Sequence, residues 1–295
     1  MIPLVRALRP QQWPKNGLVF AAFVFSMSEA WRVGEPESWW PMLWQTSVLF
    51  ALWALGSSAT YLYNDIRDRD LDREHPRKRL RPIPSGEVPV RTVGITAIVL
   101  ALVSAGGAML LDPGAGLVLA GYIVVMAAYS TVLKNVAIID IFVLGIGVVA
   151  RAVSGALVID VEISPWLYVC STFGALFFAT SKRWAEYRQL GPEAAAHRPA
   201  LARYGEELLG HMLFITASAA LISYALYTIE ADAVPENGAM ALTIPFVAFA
   251  LFRYLLLLSG ERKDDPPDQV LFTDPQIVLA VSGFVATAFV VLWAN

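Results

Sequence analysis

The chain has 295 residues, of which 57% are apolar, 12% aromatic and 16% charged, and its formal net charge is −3. Soluble domains usually carry about 25% charged residues, so this composition excludes a water-soluble globular enzyme, a disordered chain and a coiled coil. The one cysteine, Cys170, excludes an intramolecular disulfide and a cysteine-rich zinc or iron–sulfur site.

Nine apolar stretches follow one another along the chain, and a helix needs about 17–25 such residues to cross a bilayer. The first stretch, 18–31, is the weakest and follows three cations, as the apolar core of a signal peptide would. No small-residue cleavage site follows it, so we interpret it as a membrane span. The sequence therefore predicts an all-α, polytopic membrane protein with a single domain over 1–295 and nine spans: 18–31, 42–63, 93–111, 116–133, 136–159, 164–181, 208–229, 239–259 and 276–293.

The positive charges lie almost entirely on one side of these spans. With the N-terminus in the cytoplasm, all 22 lysines and arginines except Arg32 and Arg151 fall on the cytoplasmic side or at its edge. The positive-inside rule describes this distribution. It predicts a protein of the cell (inner) membrane in which two long polar segments, the first cap (64–91) and the second cap (182–207), face the cytoplasm, whereas Asn295 lies outside.

The first cap opens with the oxygen-bearing side chains of Asn64, Asp65, Asp68 and Asp72. At about 100° per residue these four share one arc if the second span continues as a helix, whereas Asp70 points away from it. Clustered carboxylates repel one another unless a cation lies between them, and oxygen ligands together with substrate phosphates suit Mg²⁺. The pattern predicts a magnesium site on these four residues, with the three aspartates of the arc in catalysis. A solvated, charged helix end remains the alternative.

Cations follow the acids directly, at Arg77, Lys78, Arg79 and Arg81, and prolines keep the segment that follows extended. Metal-binding acids beside clustered cations fit a metal-bound diphosphate, because arginine and lysine bind phosphate oxygens. The positive-inside rule alone accounts for the same cations. The substrate-binding candidates around this cap are Tyr61, Asn64, Arg67, Lys78, Arg79 and Arg81.

Further candidates stand at the predicted cytoplasmic ends of the fourth and fifth spans: Tyr129, Lys134 and Asp140. Arg151 lies deeper in the fifth span, and an ionisable residue within a span is a functional candidate. Asp140 and Arg151 share a helix face about 16 Å apart, so both are predicted to line one cavity at different depths. Snorkelling of Arg151, or its pairing with an acid on another helix, is the alternative.

The second cap begins with Lys182, Arg183 and Glu186, so cations lead where acids lead in the first cap. The three histidines, His75, His197 and His211, are scattered and form no metal-binding pair, so we assign them no role.

Three features together resemble the UbiA-type intramembrane prenyltransferases over nearly the whole chain. These are Asn64-Asp65-x-x-Asp68-x-x-x-Asp72 at the end of the second span, Tyr129-Ser-x-x-Leu-Lys134 after the fourth, and the nine predicted helices. The resemblance implies a helical bundle around a central cavity, with a lateral opening to lipid and a Mg²⁺-bound diphosphate under cytoplasmic caps.

One departure from the family pattern bears on the substrate. Aromatic prenyltransferases of this family usually carry a second aspartate-rich motif after the sixth span, where this chain has Lys182-Arg183-x-x-Glu186. This segment and the Gln-Trp-Pro-Lys15-Asn start resemble the decaprenyl-phosphate phosphoribosyltransferase branch of the family. That branch moves phosphoribose from phosphoribosyl diphosphate (PRPP) to decaprenyl (polyprenyl) phosphate for cell-wall arabinan. Three phosphate groupings in one cavity need many cations.

The resemblance implies Mg²⁺ as cofactor, with PRPP, a polyprenyl phosphate and membrane lipid as partners. It excludes nucleic acid and leaves a homo-oligomer open. Lys15 would orient the lipid phosphate, and Lys134 and Arg151 would bind either phosphate. Two alternatives remain at this point: a prenyltransferase with an aromatic or quinone-precursor acceptor, and a non-enzymatic transporter.

Overall fold

The structure is a computed structural model that describes residues 3–27, 30–74, 78–162, 165–190, 199–231, 234–261, 270–271 and 273–294. Across these ranges the regular elements are helical, and one isolated bridge joins Met27 to Trp31. The predictions made for His75, Arg77, His197 and Asn295 lie outside the described residues.

The α-helices in these ranges differ widely in length, from single turns to more than 30 residues. They are α1 (Pro3–Ala7), α2 (Ala21–Phe25), α3 (Pro36–Arg67), α4 (Arg69–Glu74), α5 (Val90–Leu111), α6 (Pro113–Thr131), α7 (Ile139–Val158), α8 (Pro165–Leu190), α9 (Glu206–Glu230), α10 (Ile244–Leu256) and α11 (Pro275–Trp293). Helices of the 3₁₀ type cover Pro10–Phe20, Lys78–Leu80, Leu133–Asn135, Leu201–Arg203 and Ala239–Thr243, and a π-helical turn covers Leu257–Glu261.

Six helical segments in the described ranges are long and apolar enough to cross a membrane. Their outward surfaces agree with this: on α5, Leu110 is 92% exposed and Leu102 is 69% exposed, which is costly in water and favourable in lipid. The protein is therefore a helical membrane protein. The six segments are Val90–Leu111, Pro113–Thr131, Ile139–Val158, Glu206–Glu230, Ala239–Gly260 and Pro275–Trp293.

The other three predicted spans correspond to helical segments of different character. The span at 42–63 lies within α3, and the described part of the span at 164–181, from Pro165 onward, lies within α8. Both helices are long but less apolar. The prediction of one helix over 18–31 is wrong, because the chain forms the 3₁₀ helix Pro10–Phe20 and then the short α2, which ends at Phe25. Pro14 lies inside the 3₁₀ segment, so a regular α-helix over Pro10–Phe20 would lack one of its hydrogen bonds.

The chain divides into two compact units. Unit 1 comprises 1–25, 36–133 and 150–162, and unit 2 comprises 26–35, 134–149 and 163–295. The helix α7 therefore contributes its first half to unit 2 and its second half to unit 1. The prediction of a single domain over 1–295 stays a prediction.

Unit 1 is built around α3, which packs against α5, α6 and the N-terminal 3₁₀ helix. At the cap end, Leu62, Ile83 and Val93 form a buried apolar cluster with Ala7 of α1. This cluster fixes the N-terminus and the first cap against the end of α3. The second half of α7 approaches the 3₁₀ helix so closely that a Cβ atom on Gly155 would lie 2.0 Å from the Val19 carbonyl oxygen.

Unit 2 pairs α8 with α9 and α10 with α11. The carboxylate of Asp274 caps α11 by accepting the backbone N–H groups of Gln276 (3.1 Å) and Ile277 (3.0 Å). It also accepts two hydrogen bonds from Arg253, at 3.3 and 3.0 Å. The bonds from Arg253, followed by those from the backbone, hold the pKa of Asp274 below its ordinary value, so this cap stays ionised at neutral pH.

Candidate functional site

The acidic motif of the first cap lies where α3 ends. The helix stops at Arg67 and α4 starts at Arg69, yet the backbone N–H of Asp68 still donates to the Asn64 carbonyl at 2.9 Å, and that of Asp72 to the Asp68 carbonyl at 2.8 Å. Helical spacing is therefore kept through the break. Asn64 and Asp68 lie on the same face, and the Asn64 amide donates to the Asp68 carboxylate at 3.1 Å.

The other two acids form a second, buried pair that is bridged by a guanidinium. Arg81 donates through Nη1 to Asp65 at 3.1 Å and to Asp72 at 2.8 Å. Lys78 Nζ lies 3.7 Å from the other oxygen of Asp72. The predicted arc of four oxygen-bearing side chains thus divides into the Asn64–Asp68 pair and the Asp65–Asp72 pair. Cations that the sequence placed 6 to 16 positions away balance the charge of the second pair.

A second arginine, which the sequence analysis did not single out, completes the Asp65 site. Arg9 forms an ion pair with Asp65, and its guanidinium lies 5.1 Å from the centre of the Tyr61 ring. No periodicity marks Arg9, because it precedes Pro10 in a short polar stretch. The only local signal was its position just ahead of the Gln-Trp-Pro-Lys15-Asn start.

Beside Asp65 lies a partly open cavity of about 330 Å³. Arginines and glutamines dominate the polar part of its wall, and Asp65 contributes the carboxylate. The polar lining residues are Arg6, Arg9, Gln11, Gln12, Asp65 and Arg81.

The donor set of the first cap fits a magnesium ion only with help from a substrate. Within the described ranges, no three acidic, histidine or cysteine side chains are placed to hold a metal ion by themselves. Mg²⁺ is commonly held by one or two carboxylates and completed by substrate phosphates and water. Asn64 and Asp68, with Asp65 and Asp72 nearby, supply oxygen donors of the appropriate kind and number.

The remaining unit 1 candidates lie at different depths. Arg67 and Arg79 are exposed at the cap, Lys15 is partly exposed on the 3₁₀ helix, and Tyr129 is buried near the end of α6. These positions do not bring them into the hydrogen-bonded pairs described above.

Arg151 is buried in a cage of aromatic and amide groups. Its guanidinium lies 4.7 Å from the Trp53 ring centre and 4.9 Å from that of Tyr122. Its Nε donates to Asn16 at 2.8 Å, and its Nη2 donates to the Tyr122 hydroxyl at 3.3 Å. Cation–π contacts and the hydrogen bond to the Asn16 amide oxygen thus stabilise the buried guanidinium charge. Asn16 belongs to the Gln-Trp-Pro-Lys15-Asn start, whereas nothing in the sequence marked Trp53 or Tyr122.

In unit 2, Asp140 and Arg183 form a buried ion pair. Asp140 is 0% and Arg183 6% exposed, and Arg183 Nε lies 3.5 Å from Asp140 Oδ2. Neither of these two atoms forms a hydrogen bond among the described residues. Arg183 also pairs with Glu186. The predicted phosphate ligand Arg183 is therefore engaged by two carboxylates of its own chain.

Tyr204 completes this cluster from the second cap. Its hydroxyl donates to Asp140 Oδ1 at 2.7 Å and accepts the backbone N–H of Ile138. Burial, reinforced by Asp140, raises the pKa of Tyr204 above its ordinary value, so the phenol remains a hydrogen-bond donor at neutral pH. Tyr204 belongs to no motif of the sequence, so only its contacts in the structure identify it.

The sequence predicts that Asp140 and Arg151 line one cavity. In the structure each has its own set of partners, Asp140 in unit 2 and Arg151 in unit 1. Two neighbouring candidates are more accessible. Lys182 is partly exposed and lies 4.7 Å from the Phe178 ring centre, and Lys134 is partly exposed in the 3₁₀ turn Leu133–Asn135.

Comparison with known families adds to this geometry. The model of the UbiA prenyltransferase family matches residues 18–274, which is most of the chain. The chain belongs to this family. Over 96% of its length it is 34% identical to the decaprenyl-phosphate phosphoribosyltransferase of Mycobacterium tuberculosis, of which the match covers 92%. The enzyme of the same name from Corynebacterium glutamicum is 32% identical over 95% of this chain and 83% of its own length.

The fold is also that of the UbiA family. A UbiA homolog from Archaeoglobus fulgidus, solved with DMAPP and Mg²⁺ bound, superposes with a TM-score of 0.72 over 99% of both chains at 19% identity. The family and fold expected from the acidic motif and the apolar pattern are therefore confirmed.

Proposed function

We propose that this UbiA-family protein transfers the 5-phosphoribosyl group of PRPP to a polyprenyl phosphate, with decaprenyl phosphate as the candidate acceptor, and releases diphosphate. The bond between ribose C1 and the diphosphate oxygen breaks, and an oxygen of the lipid phosphate bonds to C1. The observation that carries the proposal is the match to enzymes named for this activity over nearly their whole length. In mycobacteria and their relatives this product would supply cell-wall arabinan.

The first cap supplies groups suited to the donor. Asn64 and Asp68 would hold Mg²⁺, with Asp65 and Asp72 as the neighbouring carboxylates. When bound, the metal would supply Lewis-acid stabilisation of the charge that develops on the departing diphosphate. Arg81 bonds to both carboxylates through Nη1 alone, and a guanidinium carries five N–H donors. Arg81 and Lys78 are therefore proposed to bind diphosphate oxygens as well.

The acceptor needs no dedicated general base, because a phosphate monoester is already anionic at neutral pH. Charge stabilisation at the leaving group is then the main demand on the protein. Direct attack on C1 would invert its configuration. The proposed reaction therefore requires no side chain that removes a proton from the acceptor.

The other candidates remain proposals with separate roles. Lys15 and Lys134 would meet phosphate groups, and Lys182 would add positive charge for the donor. Tyr61 and Tyr129 would shape the site, and the exposed Arg67 and Arg79 would attract anions to the cap. Arg151 would contribute a deep positive charge, whereas Asp140, Arg183 and Glu186 would set the position of the second cap.

For the membrane topology we propose nine spans with both caps in the cytoplasm, in the cell (inner) membrane. Besides the six apolar segments, α3 and α8 have 32 and 26 residues, or about 48 and 39 Å at 1.5 Å per residue. Both could cross about 30 Å of hydrocarbon. The first span is proposed to begin at Leu18, which leaves Lys15 at the cytoplasmic edge.

Two alternatives are less well supported. A prenyltransferase with an aromatic acceptor would gain from a second carboxylate cluster at 182–186, where Arg183 is instead paired with Asp140 and Glu186. A transporter would distribute ionisable groups through the depth of the bilayer. In the proposed topology Arg151 is instead the deep exception among cations that lie almost entirely on one side.

The proposed function can be tested with the purified full-length protein in detergent. PRPP labelled in its ribose, supplied with decaprenyl phosphate and Mg²⁺, should transfer label to the organic phase and release one diphosphate per product. A parallel reaction should contain a prenyl diphosphate and 4-hydroxybenzoate. Prenylated aromatic product there, without label in lipid from PRPP, would favour the aromatic alternative. Activity in neither reaction would contradict both enzymatic proposals.

A further inference from the structure

The cavity beside Asp65 has the composition of a site for a small anion. Arg6, Arg9 and Arg81 line it beside one lining carboxylate, Asp65, and Gln11 and Gln12 add amide groups. Outside the wall, Arg6 also pairs with Glu87, and Arg81 with Asp72. Its volume of about 330 Å³ falls at the lower end of the range of small-molecule sites. Guanidinium and amide groups in a cavity of this size suit a phosphate group that carries a sugar.

The backbone around Arg9 is held in an unfavourable conformation at this cavity. Arg9 has φ 56° and ψ 58°, in the left-handed region, which costs a residue with a Cβ atom free energy. Its N–H donates to the Arg6 carbonyl at 3.2 Å, and its own carbonyl accepts from Gln12 at 2.8 Å. The turn brings Arg6, Arg9 and Gln12 of the cavity wall together, so the strained backbone conformation lies at this wall.

Hydrogen bonds to α3 set the register of this turn. The Ser58 hydroxyl accepts the Trp13 indole N–H at 3.0 Å. Its one hydrogen is shared between the Leu8 carbonyl at 3.0 Å and the Ala54 carbonyl of its own helix at 2.7 Å. One turn further, Asn16 donates to Ser57 at 3.3 Å. These bonds place Arg9 at Asp65, the residue next to Asn64 of the proposed metal-holding pair.

We propose that this cavity binds the phosphomonoester of the donor, with Arg9 as a binding residue and Gln12 as a further polar contact. The inference rests on the proposed function, which assigns the diphosphate end of the same donor to Asn64 and Asp68. The phosphomonoester end then requires its own cations. Arg9 and the neighbouring Arg6 provide them from the N-terminal segment, and Asp65 lies beside Arg9 as an acceptor for a ribose hydroxyl. The polyprenyl phosphate carries a phosphomonoester of the same chemistry, and the variants described below distinguish the two sources.

The test uses ribose 5-phosphate, which carries the phosphomonoester but no diphosphate. Direct binding of labelled ribose 5-phosphate to the full-length protein should weaken about tenfold to a hundredfold in Arg9→Gln, because a charge-assisted contact is lost. Binding of inorganic diphosphate with Mg²⁺ should stay at the wild-type value. Arg69→Gln is the matched control: Arg69 pairs with the exposed Asp70 and does not line the cavity, so it should bind ribose 5-phosphate normally.

Gln12→Glu provides a second variant, because it breaks no ion pair and places a negative charge in the cavity wall. It should weaken ribose 5-phosphate binding and leave the apparent constant for decaprenyl phosphate unchanged. A rise in that lipid constant with normal ribose 5-phosphate binding would reassign the cavity to the acceptor and overturn the proposal. Normal binding of both ligands by Gln12→Glu and Arg9→Gln would also overturn it.

The outcomes separate this inference from the proposed function. If the wild-type protein transfers label from PRPP to lipid but does not bind ribose 5-phosphate, the cavity assignment fails and the function stands. If it binds ribose 5-phosphate in an Arg9-dependent way but produces no labelled lipid, the proposed function fails and the phosphomonoester site stands.

Discussion

Asp68 and Asp70 of the first cap are two residues apart in the chain, but their side chains have different surroundings. Asp68 bonds to Asn64 at 3.1 Å, whereas the side chain of Asp70 is 78% exposed and pairs with Arg69 and Arg73. The helical arc predicted from the sequence makes the same distinction. The structure therefore supports using the two positions as a matched pair.

We expect Asp68→Ala to lose turnover by on the order of 10²–10³-fold, the usual cost of removing one group that stabilises developing charge. Asp70→Ala should keep most of the wild-type activity, because its partners lie at the exposed surface. Chelation with EDTA should abolish transfer, and added Mg²⁺ should restore it. Steady-state kinetics on the purified variants check this, and equal losses at the two positions would contradict the helical-face argument.

The neighbouring cations of the second cap also differ at the residue scale. Arg183 is buried between Asp140 and Glu186, whereas Lys182 is partly exposed. The sequence alone assigned both to phosphate binding. These contacts instead indicate a structural role for Arg183, because its removal would leave the buried Asp140 carboxylate without its cation.

Arg183→Ala should lower the free energy of unfolding by about 3–5 kcal/mol, the range for breaking a buried ion pair by removing one partner. Lys182→Ala should unfold like the wild type and raise the apparent constant for PRPP by about tenfold, from the loss of one charge-assisted contact. Thermal unfolding in detergent and PRPP titrations distinguish the two effects. A normal melting temperature for Arg183→Ala would count against its structural assignment.

At the scale of elements, the N-terminal 3₁₀ helix depends on one close approach to α7. Gly155 is the contact point, and a methyl group there would meet the Val19 carbonyl oxygen at 2.0 Å. The backbone of one element must therefore move away from the other if any side chain is added. Because the same 3₁₀ helix carries Asn16 against Arg151, such a movement would also disturb the aromatic cage.

Gly155→Ala should destabilise the protein by about 1–3 kcal/mol, as overpacking of a filled interior does. Gly121→Ala on α6 is the matched control, because a methyl group there would have no atom within 4 Å. It should be neutral or more stable by up to about 1 kcal/mol, since alanine favours a helix over glycine. Equal melting temperatures for the two variants would show that the approach of the 3₁₀ helix is easily relaxed.

The long helices were the most predictable elements. Apolar runs of the required length correctly located α5, α6, α7, α9, the segment around α10, and α11, because helix formation inside a membrane follows from the need to satisfy every backbone group. The 3₁₀ helix Pro10–Phe20 was not predictable in this way. Its conformation depends on Pro14 and on bonds from Trp13 and Asn16 to α3, which no local pattern reveals.

At the scale of the whole molecule, the proposed topology depends on how the charges are distributed between the two membrane sides. Single cysteines at Gly34, Ser85 and Glu236, in a Cys170→Ala background, should test it in intact cells. An impermeant thiol reagent should label positions 34 and 236 and should not reach position 85 until the membrane is opened. Labelling of position 85 from outside would contradict a cytoplasmic first cap.

The sequence by itself determined the class of protein and most of the helices. The length of an apolar stretch decides whether it can span the bilayer, and the distribution of cations predicts its orientation. It also located the acidic motif, since helical spacing holds Asn64 and Asp68 on one face even across the break between α3 and α4. The tertiary structure alone decided which cations meet these acids. Arg9 and Asp65 are 56 positions apart, and Asn16 and Arg151 are 135 apart. Such pairs depend on how helices pack and on which buried charges need compensation, and neither composition nor periodicity encodes those distances.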